Sequence, residues 1–101
     1  MNIHFSGVGG VGMSNLARLA LAAGHRVRGS DRRRTAAMDQ LLAQGADRML
    51  DMQLGQDVDQ VDMLVRSVAI PEENPDVLAA RYHCVPVWTR MQCLSCLVDD
   101  R

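Results

Sequence analysis

An α/β fold, a five-stranded parallel sheet with helices on both faces, is what the amino-acid sequence predicts. Three observations carry that prediction. Short apolar runs alternate with segments of helical periodicity along the whole chain. Gly7, Gly9 and Gly12 form G-x-G-x-x-G between the first such strand and the first such helix. An acid, Asp31, closes the second strand nineteen residues after Gly12. Right-handed crossovers between parallel strands then favour a Rossmann-like order, 3-2-1-4-5.

Each element follows from local pattern. Residues 3–6 read as a strand that stops at a glycine turn over residues 7–12. Residues 13–23 are helical, because Met13, Leu16, Ala17, Ala20 and Leu21 recur at three- and four-residue spacing, and Gly24 ends the run. Residues 27–30 form a second strand. Thr35 is placed to cap a helix through about residue 44, with Met38, Leu41 and Leu42 inward and Gly45 beyond its end. Residues 48–50 are a weak third strand, and 53–60 carry too many polar residues for a clear assignment. Residues 63–67 read as a buried strand. Pro75 suits the first turn of a helix ending near His83. Residues 85–88 make the fifth strand, and Thr89 begins a last helix through about residue 98.

Composition bounds the class. A chain of 101 residues with 48% hydrophobic and 23% charged residues is expected to fold as one domain with a modest core. Phe5, Tyr82 and Trp88 are its only aromatic residues, so that core is aliphatic. A net charge of −1 gives no overall pull toward nucleic acid or an anionic membrane. No apolar run approaches the roughly 18 residues that span a bilayer. The start, Met1-Asn2-Ile3-His4-Phe5, runs straight into a strand rather than a leader, and three cysteines make an odd set. A reducing, cytoplasmic setting is the expectation.

The glycine loop carries the chemistry. Gly7 is expected to let the chain turn sharply out of the strand. Gly9 removes a side chain where a pyrophosphate approaches the backbone, and Gly12 lets the helix pack close to the first strand. The helix start offers free N–H groups and the positive end of its dipole to phosphates. Asp31 stands where a carboxylate accepts hydrogen bonds from ribose hydroxyls. These features suit any nucleotide pyrophosphate. A stand-alone NAD(P)-binding domain would use the same loop with Asp31 on the adenosine ribose, and a remnant serving only as an interaction module would bind neither.

Four blocks are more specific. They are His4-Phe5-Ser6-Gly7-Val8-Gly9-Gly10-Val11-Gly12-Met13-Ser14, Gly29-Ser30-Asp31, Ser67-Val68-Ala69-Ile70-Pro71 with Asn74-Pro75, and Val85-Pro86-Val87. In order and spacing, over nearly the whole chain, they resemble the N-terminal domain of the Mur ligases, above all the branch that adds L-alanine to UDP-N-acetylmuramate. The resemblance implies a domain, residues 1–101, that holds the UDP part of a UDP-sugar rather than NAD. It implies that Gly7, Gly9, Gly10, Gly12, Met13 and Ser14 surround the pyrophosphate. Asp31 and the loop bearing Ser67, Ala69 and Asn74 would lie near the uridine, with Ser30 beside them. It implies no catalytic residue and no metal ligand here. ATP and magnesium would belong to a central domain of the full-length enzyme, and the amino acid mainly to a third. Both are absent from this chain, which contains no lysine for an ATP phosphate loop. Alone it is expected to be inactive as a ligase. It departs from the family pattern at Asn15, at Arg66 and Val68 in the fourth strand and its loop, at Cys84, and in residues 50–55, which lack the usual Gly-His.

Other constellations read as structural. Cys93 and Cys96 share one helix face and suit packing better than zinc or redox chemistry. His4 reads as a buried strand histidine, and His25 and His83 as exposed. Asp57, Asp59 and Asp62 suit an exposed acidic loop, Arg32, Arg33 and Arg34 a solvated loop, and the seven methionines core packing.

Overall fold

The computed structural model describes residues 1–99, with side chains through residue 97. The elements are β1 (Asn2–Ser6), α1 (Val11–Ala22), β2 (Arg26–Ser30), α2 (Ala36–Ala43) and β3 (Arg48–Leu50). A 3-10 turn (Val58–Gln60), β4 (Met63–Arg66), α3 (Pro75–Tyr82), β5 (Val87–Thr89) and α4 (Arg90–Asp99) follow. All pairings are parallel and the order is β3-β2-β1-β4-β5, as the sequence predicts.

Strand alternation sorts the side chains into two layers. Ile3 and Phe5 of β1, Val27 of β2, Met49 of β3, and Met63 and Val65 of β4 enter one core with Met13, Leu16, Met38, Leu41 and Cys93. α1, α2 and α4 cover that face. Leu64 points the other way, into a smaller core with Val58, Val61, Ile70, Val77, Ala80 and Val85 beneath α3. On that second face β1 presents His4 and Ser6, both buried.

Boundaries shift where backbone donors are already engaged. β5 begins at Val87, not at residue 85, because the Val85 N–H closes the end of α3 on the Ala80 carbonyl (2.8 Å) and Pro86 has no N–H. α1 begins at Val11, since the Ser14 N–H already reaches the Gly10 carbonyl (2.9 Å). Thr35 occupies the N-cap of α2 but does not cap it; its hydroxyl donates to the Gly9 carbonyl at 3.4 Å. At the start of α4, Thr89 and Gln92 form a reciprocal capping box. The Gln92 N–H donates to Thr89 Oγ1 (3.2 Å), and the Thr89 N–H to Gln92 Oε1 (2.8 Å). The methionine expectation holds for Met13, Met38, Met49 and Met63. Met1, Met52 and Met91 are exposed, because they lie at the chain start, in the irregular segment after β3 and on the outer side of α4. Leu42, expected inward, is partly exposed on α2.

α1 and α2 end at Gly24 and Gly45, but α3 ends at Cys84, which takes the left-handed conformation (φ +57°) without being glycine. Its side chain is exposed. A non-glycine residue there costs roughly 1–2 kcal/mol, partly offset because glycine loses more entropy on folding. Cys84→Gly is therefore expected to stabilise the chain by about 0.5–1 kcal/mol, raising the melting midpoint by several degrees. A calorimetric scan checks this; an unchanged or lower midpoint would show that the turn is unstrained.

Candidate functional site

The C-terminal ends of the strands carry the glycine loop. Gly7 sits at φ +88°, and its N–H and that of Val8 both donate to the Ser30 carbonyl (2.8 and 3.1 Å). The loop is thereby folded over the end of β2. Gly10 is the N-cap of α1. No side chain caps that helix and no acid stands in its first turn. The N–H groups of that first turn have no acceptor within the helix.

Two clefts flank the loop. On the β2 side, an open cleft of about 500 Å³ is lined by Asp31, Arg32, Arg33 and Thr35. On the β4 and β5 side, a cleft of about 220 Å³ is lined by Gly7, Gly10, Gly12, Met13, Ser67, Val68 and Arg90. Of the residues singled out in the sequence, Gly7, Gly10, Gly12, Met13 and Ser67 thus share one cleft, and Asp31 lines the other. Gly9 stands between them.

Several side chains turn elsewhere. Ser14 is buried and its hydroxyl donates to the Val11 carbonyl (3.0 Å). Asn74 caps α3 by accepting from the Asp76 N–H (2.9 Å), and its amide donates to Gln53 Oε1 (3.0 Å). Ala69 is exposed, its N–H turned to Ser67 Oγ (3.3 Å). Ser30 is fully buried. Its hydroxyl donates to Asp76 Oδ2 (2.5 Å) and lies 3.0 Å from His4 Nε2.

Two glycines act differently from the sequence expectation. A Cβ on Gly9 would stand 2.7 Å from Asp31 Oδ2 and 3.0 Å from Thr35 Cγ2. The space at Gly9 is filled by protein, and its N–H donates to Asp31 Oδ2 (2.8 Å). Asp31 Oδ1 also accepts from the Arg32 N–H (2.7 Å). Asp31 is therefore a clamp on the loop as well as a wall of the β2-side cleft. At Gly12 a Cβ would meet Arg90 Nη1 at 2.5 Å, so the missing side chain makes room for a guanidinium and not for β1.

Beneath the loop lies a buried polar network that sequence reasoning missed. Asp76 accepts from Ser6 (2.9 Å) and Ser30 on Oδ2, and from the Gly55 N–H (2.8 Å) on Oδ1. Gln53 Nε2 donates to Ser6 Oγ (3.1 Å). Burial pushes the Asp76 carboxyl up. The nearby His4 imidazole, the Ser30 hydroxyl and the Gly55 N–H outweigh burial and hold it below its ordinary range. His4 Nε2 is 3.6 Å from Asp76, and its buried Nδ1 has no hydrogen-bond partner among the described residues. His4 is thus a core histidine. The departures in β4 and its loop also gain a reason. Arg66 donates to the Ile70 carbonyl (2.7 Å) and to Glu72 (3.1 Å), bracing the loop after β4, while Val68 stands wholly exposed at the mouth of the cleft.

The remaining candidates are structural. Asp57 pairs with Arg48, and Asp62 accepts from the Asn2 N–H (2.7 Å). His83 is exposed; His25 is only partly so, with Nδ1 lying 3.0 Å from the N-terminal ammonium. Burial and the neighbouring Cys96 push the Cys93 thiol up to about 11, so it stays protonated near neutral pH. Among the described residues no three His, Cys, Asp or Glu side chains are grouped to hold a metal ion, and no helix is long and apolar enough to cross a membrane.

Comparison with known proteins agrees with this fold. The family model described as "Mur ligase family, catalytic domain" matches residues 2–101. A UDP-N-acetylmuramate–L-alanine ligase of Clavibacter michiganensis is 41% identical over 102 residues, covering 98% of this chain and 21% of that protein. The crystal structure of UDP-N-acetylmuramate–alanine ligase from Thermotoga maritima superposes with a TM-score of 0.90 at 27% identity, over 99% of this chain and 23% of that one. A murein peptide ligase from Psychrobacter arcticus gives 0.85 at 28% identity, over 94% and 20%. The chain spans about a fifth of the length of these proteins.

Proposed function

The chain belongs to the Mur ligase family, and we propose that it binds and orients UDP-N-acetylmuramate as the N-terminal domain of an ATP-dependent peptidoglycan-precursor ligase of the L-alanine-adding type. The observation that carries this reading is the bare N-terminus of α1, opening between two clefts at the sheet's C-terminal edge. Its support in sequence is the likeness to relatives named UDP-N-acetylmuramate–L-alanine ligase.

In this reading the pyrophosphate lies over the first turn of α1, where N–H groups and the helix dipole favour negative charge. The nucleoside takes the β2-side cleft, with Asp31 accepting from the ribose, and the sugar leaves on the side of Ser67. The domain's contribution is positional: it holds the lactyl carboxylate of the sugar where ATP, bound elsewhere, activates it. The residues present do not fit an ATP–magnesium site. There is no lysine for a phosphate loop, and the described residues bring together no group of acids suited to a metal. That chemistry is assigned to other domains of a full-length, cytoplasmic enzyme.

Calorimetric titration of the chain tests the proposal against the NAD(P) alternative. UDP or UDP-N-acetylmuramate is expected to bind at least about tenfold more tightly than NAD or NADP, a difference of ~1.4 kcal/mol. Equal or tighter binding of NAD would overturn the ligase reading.

A further inference from the structure

Asp76 stands at the start of α3, on the face of the sheet away from α1, yet its carboxylate reaches the strand ends that carry the glycine loop. Ser6 and Ser30 are register partners at the last rung between β1 and β2. Both hydroxyls donate to one oxygen, Asp76 Oδ2. Ser6 immediately precedes Gly7. The Ser30 carbonyl takes the Gly7 and Val8 N–H groups, and the next residue, Asp31, takes that of Gly9. The start of the loop thus hangs from residues 6, 30 and 31, and Asp76 holds the first two of them.

A carboxylate only accepts. Each serine spends its one proton on Asp76, so each hydroxyl is left to accept on its other side. Ser6 accepts from Gln53 Nε2 (3.1 Å), and Ser30 lies 3.0 Å from His4 Nε2, which must then be the donor. The hydrogens run in two rows, from Gln53 through Ser6 and from His4 through Ser30, and meet at Asp76. Such rows polarise and strengthen one another inside a protein. His4 Nδ1 has no partner among the described residues, so the ring is oriented from its Nε2 side alone. The loop has little else to fix its start. Its own turn bond, from the Gly10 N–H to the Gly7 carbonyl, is long at 3.5 Å, and the β1–β2 ladder ends at Ser30. A shift of Ser30 would carry Gly7, Val8 and, through Asp31, Gly9 with it.

We propose that Asp76 is a positioning residue of the nucleotide site, setting the conformation of the glycine loop through the hydroxyls of Ser6 and Ser30. Resting on the nucleotide reading of the clefts, the role is indirect: at 1% exposure the carboxylate is too buried to touch a ligand. Its loss costs affinity by letting the N–H groups of the loop drift from where phosphate oxygens would meet them.

The test titrates UDP into the unaltered chain, Asp76→Asn, Ser30→Ala, their double variant and Val77→Ala, at a temperature where each is folded. Amide hydrogen exchange of the loop is followed without ligand. Val77 is the next residue of α3 and fully buried, and its truncation loosens the second core without removing a polar partner. Asp76→Asn and Ser30→Ala are each expected to weaken UDP by roughly five- to tenfold, with the double variant no more than about twofold weaker than the worse single. Val77→Ala should stay within about twofold of the unaltered chain although its melting midpoint falls. The Gly7 and Val8 amides should exchange roughly tenfold faster in the first three variants and at an unchanged rate in Val77→Ala. Unchanged UDP affinity in Ser30→Ala would overturn the proposal, and that variant decides alone if Asp76→Asn fails to fold. So would an equal loss in Val77→Ala, which marks a general loosening of the fold. If the unaltered chain binds no UDP, the nucleotide reading itself fails and takes this proposal with it.

Discussion

Gly9→Val is expected to abolish binding of UDP and UDP-N-acetylmuramate while leaving the sheet folded. The Cβ alone would sit 2.7 Å from the Asp31 carboxylate and 3.0 Å from Thr35, and valine adds two methyl groups. The loop must move, which breaks the Gly9 N–H bond to Asp31 and the Thr35 bond to the Gly9 carbonyl. Both bonds lie at the rim of the clefts and neither belongs to the core, so the loss falls on the loop. Gly9 is also outside the left-handed region, so valine is tolerated by the backbone itself. Affinity should fall by at least roughly a hundredfold, about 2.7 kcal/mol. Circular dichroism and titration of one sample read both halves. Retained affinity would mean that the phosphates bind away from this loop, and an unfolded variant would mean that the clamp on β2 is part of the core.

The second large effect is on stability. Asp76→Ala removes the acceptor for Ser6, Ser30 and the Gly55 N–H at a position only 1% exposed. Stranding buried donors and the facing His4 should cost about 3–5 kcal/mol. A chain of this size has roughly 5–15 kcal/mol in all, so the variant should melt more than 10 °C lower or fail to fold. Asp76→Asn, which keeps one acceptor oxygen, should lose less. Denaturant unfolding measures both; a cost below about 1 kcal/mol for alanine would show the network to be incidental.

The same carboxylate sets a pH dependence. Its folded pKa lies below the ordinary 3.8, so its stabilisation is fully present above that value and is lost as pH falls through the folded value. Stability of the unaltered chain and of Asp76→Asn should therefore converge on acidification below about pH 4. Parallel curves down to pH 2 would contradict that assignment.

Much of this molecule is local. The periodicity of α1 and of the strands, the glycine turn and the stops at Gly24 and Gly45 arise from residues near one another in the chain. Strand alternation with helical crossovers then leaves few ways to order a parallel sheet. For the same reason the glycine loop and Asp31 were legible as neighbours, since both follow ends of adjacent strands; only the family resemblance set Ser67 beside Asp31, and Ser67 lines the other cleft. Capping by Thr35 was misjudged because its hydroxyl has a partner in the Gly9 carbonyl, which only the folded loop brings near.

The sequence by itself determined the α/β fold, the strand order and the edge of the sheet that carries the glycine loop. Tertiary structure alone decided what each polar group there touches. Asp76 gathers Ser6, Ser30 and Gly55 from three separate segments, Gly9 yields to Asp31, and Gly12 yields to Arg90, which lies 78 positions further along the chain. Helix and strand periodicity is a property of neighbouring residues. A hydrogen bond or a collision depends instead on ångström-scale distances between side chains, and those exist only once α1, α3 and α4 have packed on the sheet.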